Sequence, residues 1–318
     1  MIIDDSPLIS ICIPAYQRTE FLKRLFDSIS IQTFKNYEVV VTDDSADDSV
    51  QNFVSNYSSN NNVYYFRNKT NLGTPENWNE AIRKANGKWI KLMHDDDWFA
   101  NESSLEQFYE AIKENERCLF FFSAYNNVEE NSSLKSPVYL TWLGDFLLKR
   151  SPLNLFKKQF IGNPSCTLIR RDINLFYDKN FKWVVDFEYY IRCLYKIKKY
   201  YYINSTLINV GLSESQVTKY TFRVADVEIP ENHLLIEKMG TQILRNIFVY
   251  DYFWRLYRNL EIRSQDDILK IYKKPLDPLL KRMINFQMKI STAILRIGIF
   301  SKLFMFRCYV LSFFTKAK

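Results

Sequence analysis

Glycine and histidine are scarce in this chain of 318 residues. Seven glycines are present, and no two of them have the spacing of a G-x-G-x-x-G fingerprint or of a P-loop. The two histidines, His94 and His233, are too few for a multi-histidine zinc site. The composition therefore argues against dinucleotide binding, Walker-type phosphate binding and zinc chemistry of that kind.

Cysteine is also sparse, with five residues and no C-x-x-C pair. An odd number of cysteines that form no C-x-x-C pair is typical of reduced, buried thiols in a cytosolic protein. The first residues, MIIDDSPL, contain neither a basic segment nor a long apolar run, so no signal peptide is predicted. We therefore expect a cytosolic protein.

Negative charge is missing from the C-terminal segment. Residues 281–318 contain eight Lys or Arg and no Asp or Glu, whereas the whole chain carries a net charge of +7. No uncharged run there approaches the ~18 residues of a spanning helix. On one continuous helix, Arg282, Lys289, Arg296 and Arg307 would form a single basic stripe among apolar residues.

Such a tail is typical of a helix that lies peripherally on an anionic membrane, here the inner face of the plasma membrane. The alternative is a pair of helices packed on the protein with solvated charges. A nucleic-acid interface is disfavoured, because the charge is confined to one terminal segment and is interleaved with Leu, Ile and Phe. We therefore expect a membrane partner and no nucleic acid.

Strand-like and helix-like segments alternate through the first hundred residues. Short apolar runs at 8–13, 37–41, 63–66 and 89–93 are separated by segments with helical periodicity. This alternation predicts an α/β, Rossmann-like domain with a mixed, mainly parallel sheet. The pattern becomes helical towards the C-terminus, so we expect a first domain at 1–220 and a C-terminal helical region at 221–318.

Two acidic clusters follow predicted strands, and the carboxyl ends of such strands are where α/β sheets bind ligands. Asp43 and Asp44 form one cluster, and Asp95, Asp96 and Asp97 form the other. Adjacent carboxylates repel one another unless a cation lies among them, and oxygen ligands suit Mg²⁺ or Mn²⁺. A solvated turn is the alternative, but the triplet lies between an apolar strand and Trp98, which favours a metal site.

Four segments in this order resemble the inverting family 2 glycosyltransferases of bacterial surface-polysaccharide assembly, which have the GT-A fold. These segments are SICIPAYQR (10–18), VVVTDDS (39–45), NLGTPENWNEAIRKANGKWI (71–90) and LMHDDDW (92–98). The resemblance covers roughly residues 8–215. It implies a set of donor-binding residues, with Asp44 recognising the base. The set is Pro14, Ala15, Tyr16, Asp43, Asp44, Asn71, Gly73, Asn79, Asp95 and Asp96.

The metal motif of this family usually begins with an Asp, and His94 occupies that position here. Asp96 and Asp97 match the motif best, so the resemblance implies that they bind Mn²⁺ or Mg²⁺. Either Asp95 or His94 takes over the contact of the missing first Asp. A packed histidine at the end of a strand is the other interpretation of His94.

Two further segments resemble the acceptor side of the family, GNPSCTLIRRD (162–172) and WVVDFEYYIRC (183–193). The catalytic base of the family then falls on Asp186, since an inverting displacement needs one carboxylate to accept the acceptor proton. A carboxylate that only stabilises a helix N-terminus is the alternative. Glu188, Gln216 and His233 are further candidates for supporting, phosphate or acceptor contacts.

Together these features predict transfer of a sugar from a nucleotide-sugar, a UDP-sugar, to a saccharide or polyprenyl-linked acceptor in polysaccharide, O-antigen or capsule biosynthesis. One alternative is a nucleotidyltransferase, which would need a glycine-rich or basic phosphate loop that SICIPAYQR does not supply. The other alternative is a non-catalytic, membrane-associated protein that binds nucleotide-sugars.

Overall fold

The computed structural model describes residues 7–57, 62–129, 134–212 and 223–313. The chain divides into two compact units. The first, which we call the sheet unit, comprises Met1–Lys149 and Phe160–Glu214. The second, which we call the helical unit, comprises Arg150–Gln159 and Ser215–Lys318.

A mixed sheet of nine described strands forms the sheet unit, in the order β3-β2-β1-β4-β8-β6-β9-β5, with β7 paired to β6. The first four strands of this order are parallel, β4 pairs antiparallel with β8, and β6 pairs parallel with β9. The mixed α/β fold is therefore confirmed. The strands are β1 (Ile9–Ala15), β2 (Tyr37–Asp43), β3 (Val63–Arg67), β4 (Trp89–Leu92), β5 (Trp98–Phe99), β6 (Phe120–Glu129), β7 (Lys135–Val138), β8 (Thr167–Arg170) and β9 (Tyr201–Leu212).

Six described α-helices belong to this part of the chain. They are α1 (Thr19–Ser30), α2 (Ser49–Ser55), α3 (Glu76–Lys84), α4 (Ser104–Glu114), α5 (Trp142–Arg150) and α6 (Val185–Ile197). The apolar residues of α1 recur on one face and pack against the strands, as the periodicity predicts. Short 3₁₀ turns at Pro164–Cys166 and Arg171–Ile173 flank β8.

A buried carboxylate joins β1, β2 and the turn that precedes β4. Glu38 accepts hydrogen bonds from Ser10 Oγ at 2.6 Å, from the Asn86 amide at 2.5 Å and from the Gly87 amide at 3.2 Å. Gly87 has no room for a side chain, because a Cβ there would lie 2.7 Å from the Ser10 amide nitrogen. These contacts align the neighbouring strands, so the ends of β1, β2 and β4 face the same edge of the sheet.

The helical unit buries an aromatic core. Tyr250, Phe253, Trp254 and Tyr257 are almost completely inaccessible to solvent. The described helices of the unit are α7 (Ala225–Met239), α8 (Ile247–Asn259), α9 (Gln265–Tyr272), α10 (Pro278–Met288), α11 (Thr292–Arg296) and α12 (Gly298–Phe313), with 3₁₀ turns at Pro152–Phe156 and Thr241–Arg245.

Residues Arg150–Gln159 group with the helical unit, although the sequence gives no sign of an interruption in the first domain. The reason is aromatic packing within the unit. Phe156 lies with its ring centroid 5.1 Å from that of Tyr252 and 6.5 Å from that of Phe253. The Asn246 side chain also donates to Asn154 Oδ1 at 2.9 Å.

The prediction of one continuous basic helix in the tail is wrong. The segment folds as α10, α11 and α12, with breaks after Met288 and after Arg296, so its basic residues do not share one stripe. Several of them contact the protein instead. Arg282 donates to the Leu311 carbonyl at 3.0 Å, Arg296 pairs with Glu261 at 2.7 Å and Lys302 pairs with Asp251 at 2.5 Å. None of the described helices is both long enough and apolar enough to span a bilayer.

Candidate functional site

The Asp43-Asp44 pair ends β2 and holds a loop in place. The Asp44 carboxylate accepts from Asn68 Nδ2 at 2.7 Å, from the Leu72 amide at 3.0 Å and from the Gly73 amide at 2.8 Å. Gly73 has a φ of +68°, which favours glycine. The Asp43 carboxylate accepts from the Ser45 amide and from the Tyr65 hydroxyl. The structure therefore uses Asp44 to position residues 68–73 at the sheet edge.

The Asp95-Asp96-Asp97 triplet lies between β4 and β5, and all three side chains are largely buried. Arg18, just beyond β1, forms a bidentate pair with Asp95, and its Nη1 lies 3.7 Å from Asp96 Oδ2. Arg24 of α1 donates to the Asp96 carbonyl at 2.8 Å. Two arginines near the end of β1 thus offset part of the negative charge of this loop.

Asp97 is held from two other parts of the sheet unit. Asn163 Nδ2 donates to its Oδ2 at 2.7 Å, and the Gly211 amide donates to its Oδ1 at 3.2 Å. Ser165, in the turn Pro164–Cys166, also contacts the Asp97 side chain and accepts from the His94 amide at 3.0 Å. The Asp97 carboxylate is therefore fixed in one orientation.

His94, Asp96 and Asp97 form a cluster in which one ligand atom of each residue lies within 4.8 Å of the others. The His94 Nε2 atom is buried and has no hydrogen-bond partner among the described residues. Burial lowers the pKa of His94 to about 4, so the imidazole is neutral near pH 7 and keeps a lone pair. Two carboxylates and a neutral imidazole fit a divalent cation.

The carboxylates also show the cost of burying charge without a cation. Burial, and then the neighbouring Asp96, raises the pKa of Asp97 to about 8, against the hydrogen bonds from Ser165, Asn163 and Gly211. Burial raises the pKa of Asp95 to about 7, although Arg18 opposes that shift. A bound cation would replace the protons that these groups otherwise take up.

A row of aromatic rings leads from this cluster to α6. The His94 ring centroid lies 4.7 Å from that of Trp78, Trp78 lies 5.1 Å from Tyr177, and Tyr177 stacks on Tyr189 of α6 at 4.0 Å. Asp186 lies in the first turn of α6, where its Oδ1 accepts from the Phe187 amide at 2.8 Å. The rings thus link the helix that carries Asp186 to the acidic loop.

Glu188, two residues further along α6, is fully buried. Its two carboxylate oxygens accept from Arg192 Nε at 2.5 Å and from Arg192 Nη2 at 2.9 Å. The charge of Glu188 is therefore compensated inside the protein. Glu188 supports Arg192 directly. Arg192 also donates to the Phe176 carbonyl at 2.7 Å.

The remaining donor candidates differ in exposure. Pro14 and Ala15 end β1, and Tyr16, which follows them, is half exposed. Asn71 Nδ2 donates to the Asp44 carbonyl at 3.3 Å. Asn79 is buried and exchanges hydrogen bonds with the backbone of Tyr177 at 2.8 and 2.9 Å, so it joins α3 to the segment before α6.

The structure places His233, a candidate for phosphate or acceptor contacts, in the interior of the helical unit. His233 is 4% exposed and lies inside the helical unit, where its Nε2 is 3.0 Å from the Tyr257 hydroxyl. Burial lowers its pKa to about 4. Its surroundings are those of a packed core histidine, with the Tyr272 ring centroid at 4.8 Å. Gln216 lies outside the described residues.

Several residues that hold the acidic loop, Arg24 of α1 among them, were not predicted from the sequence. Arg18 and Asn163 lie inside the segments that resemble the family, so their position in those segments was the available signal. Gly211 is one of only seven glycines, and a Cβ at this position would lie 2.4 Å from the Asp96 carbonyl oxygen. Ser165 lies in the same segment as Asn163, GNPSCTLIRRD, and shares that signal.

Solved glycosyltransferases share this fold. The structure is similar to that of S. aureus TarS 1–349 in complex with UDP-GlcNAc, with a TM-score of 0.56 at 15% identity over 96% of this chain and 81% of that one. It is also similar to the mannosyltransferase PcManGT of Pyrobaculum calidifontis in complex with GDP-Man and Mn²⁺, with a TM-score of 0.55 at 12% identity over 98% of this chain and 88% of that one. The fold is therefore that of the GT-A glycosyltransferases.

The family follows from the sequence match. The glycosyl transferase family 2 model matches residues 10–176, which is more than half of the chain, and the chain therefore belongs to that family of enzymes. Among characterised relatives, it is 25% identical over 251 residues to the GalNAc(5)-diNAcBac-PP-undecaprenol beta-1,3-glucosyltransferase of Campylobacter jejuni, covering 73% of this chain and 77% of that one. The matched region of the family model ends before Asp186.

Gly211 offers a test of how closely the acidic loop must be held. In Gly211→Ala the new Cβ would lie 2.4 Å from the Asp96 carbonyl oxygen, so the loop must shift. We expect glycosyl transfer to fall by about 10- to 100-fold, since small misplacements in a site cost that much. Gly298→Ala is the matched control, because a Cβ built at Gly298 has no close neighbour within 4 Å among the described residues. Initial rates of nucleoside diphosphate release measure the effect, and a G211A rate equal to that of the wild type would contradict it.

Proposed function

We propose that this enzyme transfers a sugar from a UDP-sugar to a saccharide or lipid-linked acceptor with inversion, in the assembly of a bacterial surface polysaccharide. The observation that carries the proposal is the cluster of His94, Asp96 and Asp97 at the end of β4, in a chain that belongs to family 2. The family match disfavours a nucleotidyltransferase. Donor turnover separates the proposed enzyme from a protein that only binds the nucleotide-sugar.

A divalent cation fits the cluster, and we propose Asp96 and Asp97 as its carboxylate ligands with His94 as a third. Support comes from the buried Nε2 of His94, which has no hydrogen-bond partner among the residues that the structure describes, and from the low pKa of its ring. The cation would neutralise charge on the departing nucleoside diphosphate. A nitrogen ligand beside two carboxylates favours Mn²⁺ over Mg²⁺, since imidazole suits transition metals better than it suits Mg²⁺. Arg18 pairs with Asp95, so we propose that Asp95 orients Arg18 towards the donor.

We propose Asp186 as the general base. Its carboxylate would accept the proton of the acceptor hydroxyl while the acceptor oxygen forms a bond to the anomeric carbon. The bond from that carbon to the diphosphate oxygen breaks on the opposite side, which inverts the anomeric configuration. The row of aromatic rings from His94 to Tyr189 supports this role, because it links α6 to the acidic loop.

The donor site would use the edge formed by the ends of β1 and β2. Tyr16 is half exposed there, and the loop of residues 68–73 is held by Asp44. We propose that Pro14, Ala15 and Tyr16 bound the nucleotide on one side and that this loop bounds it on the other. TarS was solved with UDP-GlcNAc and PcManGT with GDP-Man, so both nucleotides belong in a donor screen.

Asp96→Asn and Asp97→Asn test the cation and the donor together. Each substitution removes the negative charge of one proposed metal ligand. In the wild type we expect UDP-glucose or UDP-GlcNAc to raise the melting temperature when Mn²⁺ is present, because a ligand that binds the native state stabilises it. We expect this rise to be lost in both variants. GDP-mannose is the comparison donor. Asp27→Asn is the matched control, since Asp27 is an exposed carboxylate of α1 paired with Lys23. Donor-induced stabilisation that survives in both D96N and D97N would refute the assignment.

Asp186→Asn tests the base. The substitution preserves shape and removes proton acceptance, so turnover should fall by about 10²-fold or more while donor affinity persists. The rate of glycosyl transfer is measured from the release of nucleoside diphosphate. The anomeric configuration of the product is determined by NMR. Asp172→Asn is the control, because Asp172 is a carboxylate in the nearby 3₁₀ turn that pairs with Arg170 at 3.1 Å. If D186N loses donor affinity together with turnover, Asp186 has a binding or structural role.

We propose a lipid-linked acceptor and a membrane contact for α12. The name of the Campylobacter jejuni relative describes transfer to an undecaprenol-linked saccharide. Ile299, Leu303 and Phe306 recur on one face of α12 and are 69%, 61% and 53% exposed. Arg307 is exposed next to them. An exposed apolar face beside a basic side chain is typical of a helix that lies on an anionic membrane.

The double substitution Leu303→Glu with Phe306→Glu tests this contact. It places two charges on the apolar face, so we expect sedimentation with vesicles that contain phosphatidylserine or cardiolipin to fall to background. Ile31→Glu is the matched control, since Ile31 is 57% exposed in the sheet unit. Point substitutions are preferable to truncation, because Met283 and Met305 of the same segment are buried. A full-length protein that ignores such vesicles at low salt would rule out the membrane contact.

A further inference from the structure

Lys91 lies in the middle of β4 and is completely buried. Its ammonium nitrogen donates to the carbonyl of Ser165 and, at 3.2 Å, to the carbonyl of Thr167. The same nitrogen lies 4.7 Å from the ring centroid of Phe108 and 5.8 Å from that of Phe99. A lysine side chain is thus enclosed by two aromatic rings and directed at one short backbone segment.

Burying an amine in this way is costly, because the charged form loses its hydration. Burial lowers the pKa of Lys91 to about 7, in agreement with that cost. A methionine of similar length would fill the same space without the penalty. The direct polar contacts of Lys91 are its two hydrogen bonds to carbonyl groups, and its charge also interacts with Cys166 and Asp97. The hydrogen bonds tie Lys91 to one backbone segment.

Both carbonyls belong to the segment that holds the acidic loop. Ser165 lies in the 3₁₀ turn Pro164–Cys166, and Thr167 begins β8. From the same turn, Ser165 Oγ accepts from the His94 amide at 3.0 Å. Asn163, which precedes the turn, donates to Asp97 Oδ2 at 2.7 Å. Lys91 therefore fixes the turn through its backbone, and the side chains of the turn fix the loop.

We propose that Lys91 is a positioning residue for the cation site. By holding the turn Pro164–Cys166 against β4, it keeps Asn163 and Ser165 in register with Asp97 and His94. The inference rests on the proposed function, since it assumes that this cluster binds a cation. In this proposal Lys91 itself contacts neither the cation nor the nucleotide-sugar.

The test is Lys91→Met, which keeps the length of the side chain and removes its hydrogen-bond donor. The substitution relieves the desolvation cost of the enclosed amine but leaves the buried Ser165 and Thr167 carbonyls without that donor, so the melting temperature should change little. The Kd for Mn²⁺ should rise by about 10- to 100-fold, as it does when residues that orient metal ligands are changed. The rate at saturating Mn²⁺ should stay within a few-fold of the wild-type rate. A purely structural role would lower the melting temperature and leave the Kd for Mn²⁺ unchanged.

Ser165→Ala and the double variant K91M/S165A complete the experiment. If Lys91 acts through the turn, the two single effects on the Kd for Mn²⁺ do not add in the double variant. Ser123→Ala is the matched control, because Ser123 is a buried hydroxyl on β6 whose Oγ has no hydrogen-bond partner among the described residues. Its Kd should equal that of the wild type. Mn²⁺ binding is measured directly by titration followed by electron paramagnetic resonance.

Each result decides one proposal. A wild-type protein that binds no Mn²⁺ would refute the proposed cation site, and the role of Lys91 with it. Wild-type binding together with an unchanged Kd in K91M would overturn only the role of Lys91. Additive effects in the double variant would do the same, as would a K91M chain that fails to fold, since the lysine would then serve the fold itself.

Discussion

Three adjacent carboxylates at the end of β4 impose the constraint on which the site depends. Asp95, Asp96 and Asp97 are buried next to one another, and burial with mutual repulsion raises the pKa of Asp97 to about 8. Such a loop persists only if other groups compensate its charge. Arg18 does so from just beyond β1, and Asn163, just before the turn Pro164–Cys166, adds a hydrogen bond to the Asp97 carboxylate.

The sheet topology brings these groups to one place. β4 lies between β1 and β8, so Arg18 approaches the loop from one neighbouring strand and the turn Pro164–Cys166 approaches it from the other. The loop between β4 and β5 is short, and β5 pairs with β9. This pairing brings Gly211 so close to the Asp96 carbonyl that no side chain fits between them.

Within the helical unit, α12 contributes side chains both to the buried core and to the exposed surface. Ser301, Met305 and Cys308 of α12 are buried, whereas Leu303 and Phe306 on its other face are exposed. The apolar residues of the tail are therefore divided between the core and solvent. Its basic residues Lys302 and Arg307 are both exposed, and Lys302 also pairs with Asp251.

The order of strands and helices as far as β4, the mixed α/β class and the strand-end positions of both acidic clusters could be predicted from the sequence, because these depend on residues close together in the chain. The groups that hold the acidic loop could not, because they come from distant parts of the chain. Arg18, Asn163 and Gly211 are far from it in sequence, and neither periodicity nor spacing reveals such pairings. Tertiary contacts also divided the tail into three helices and assigned Arg150–Gln159 to the helical unit, because packing and ion pairs there override the local pattern.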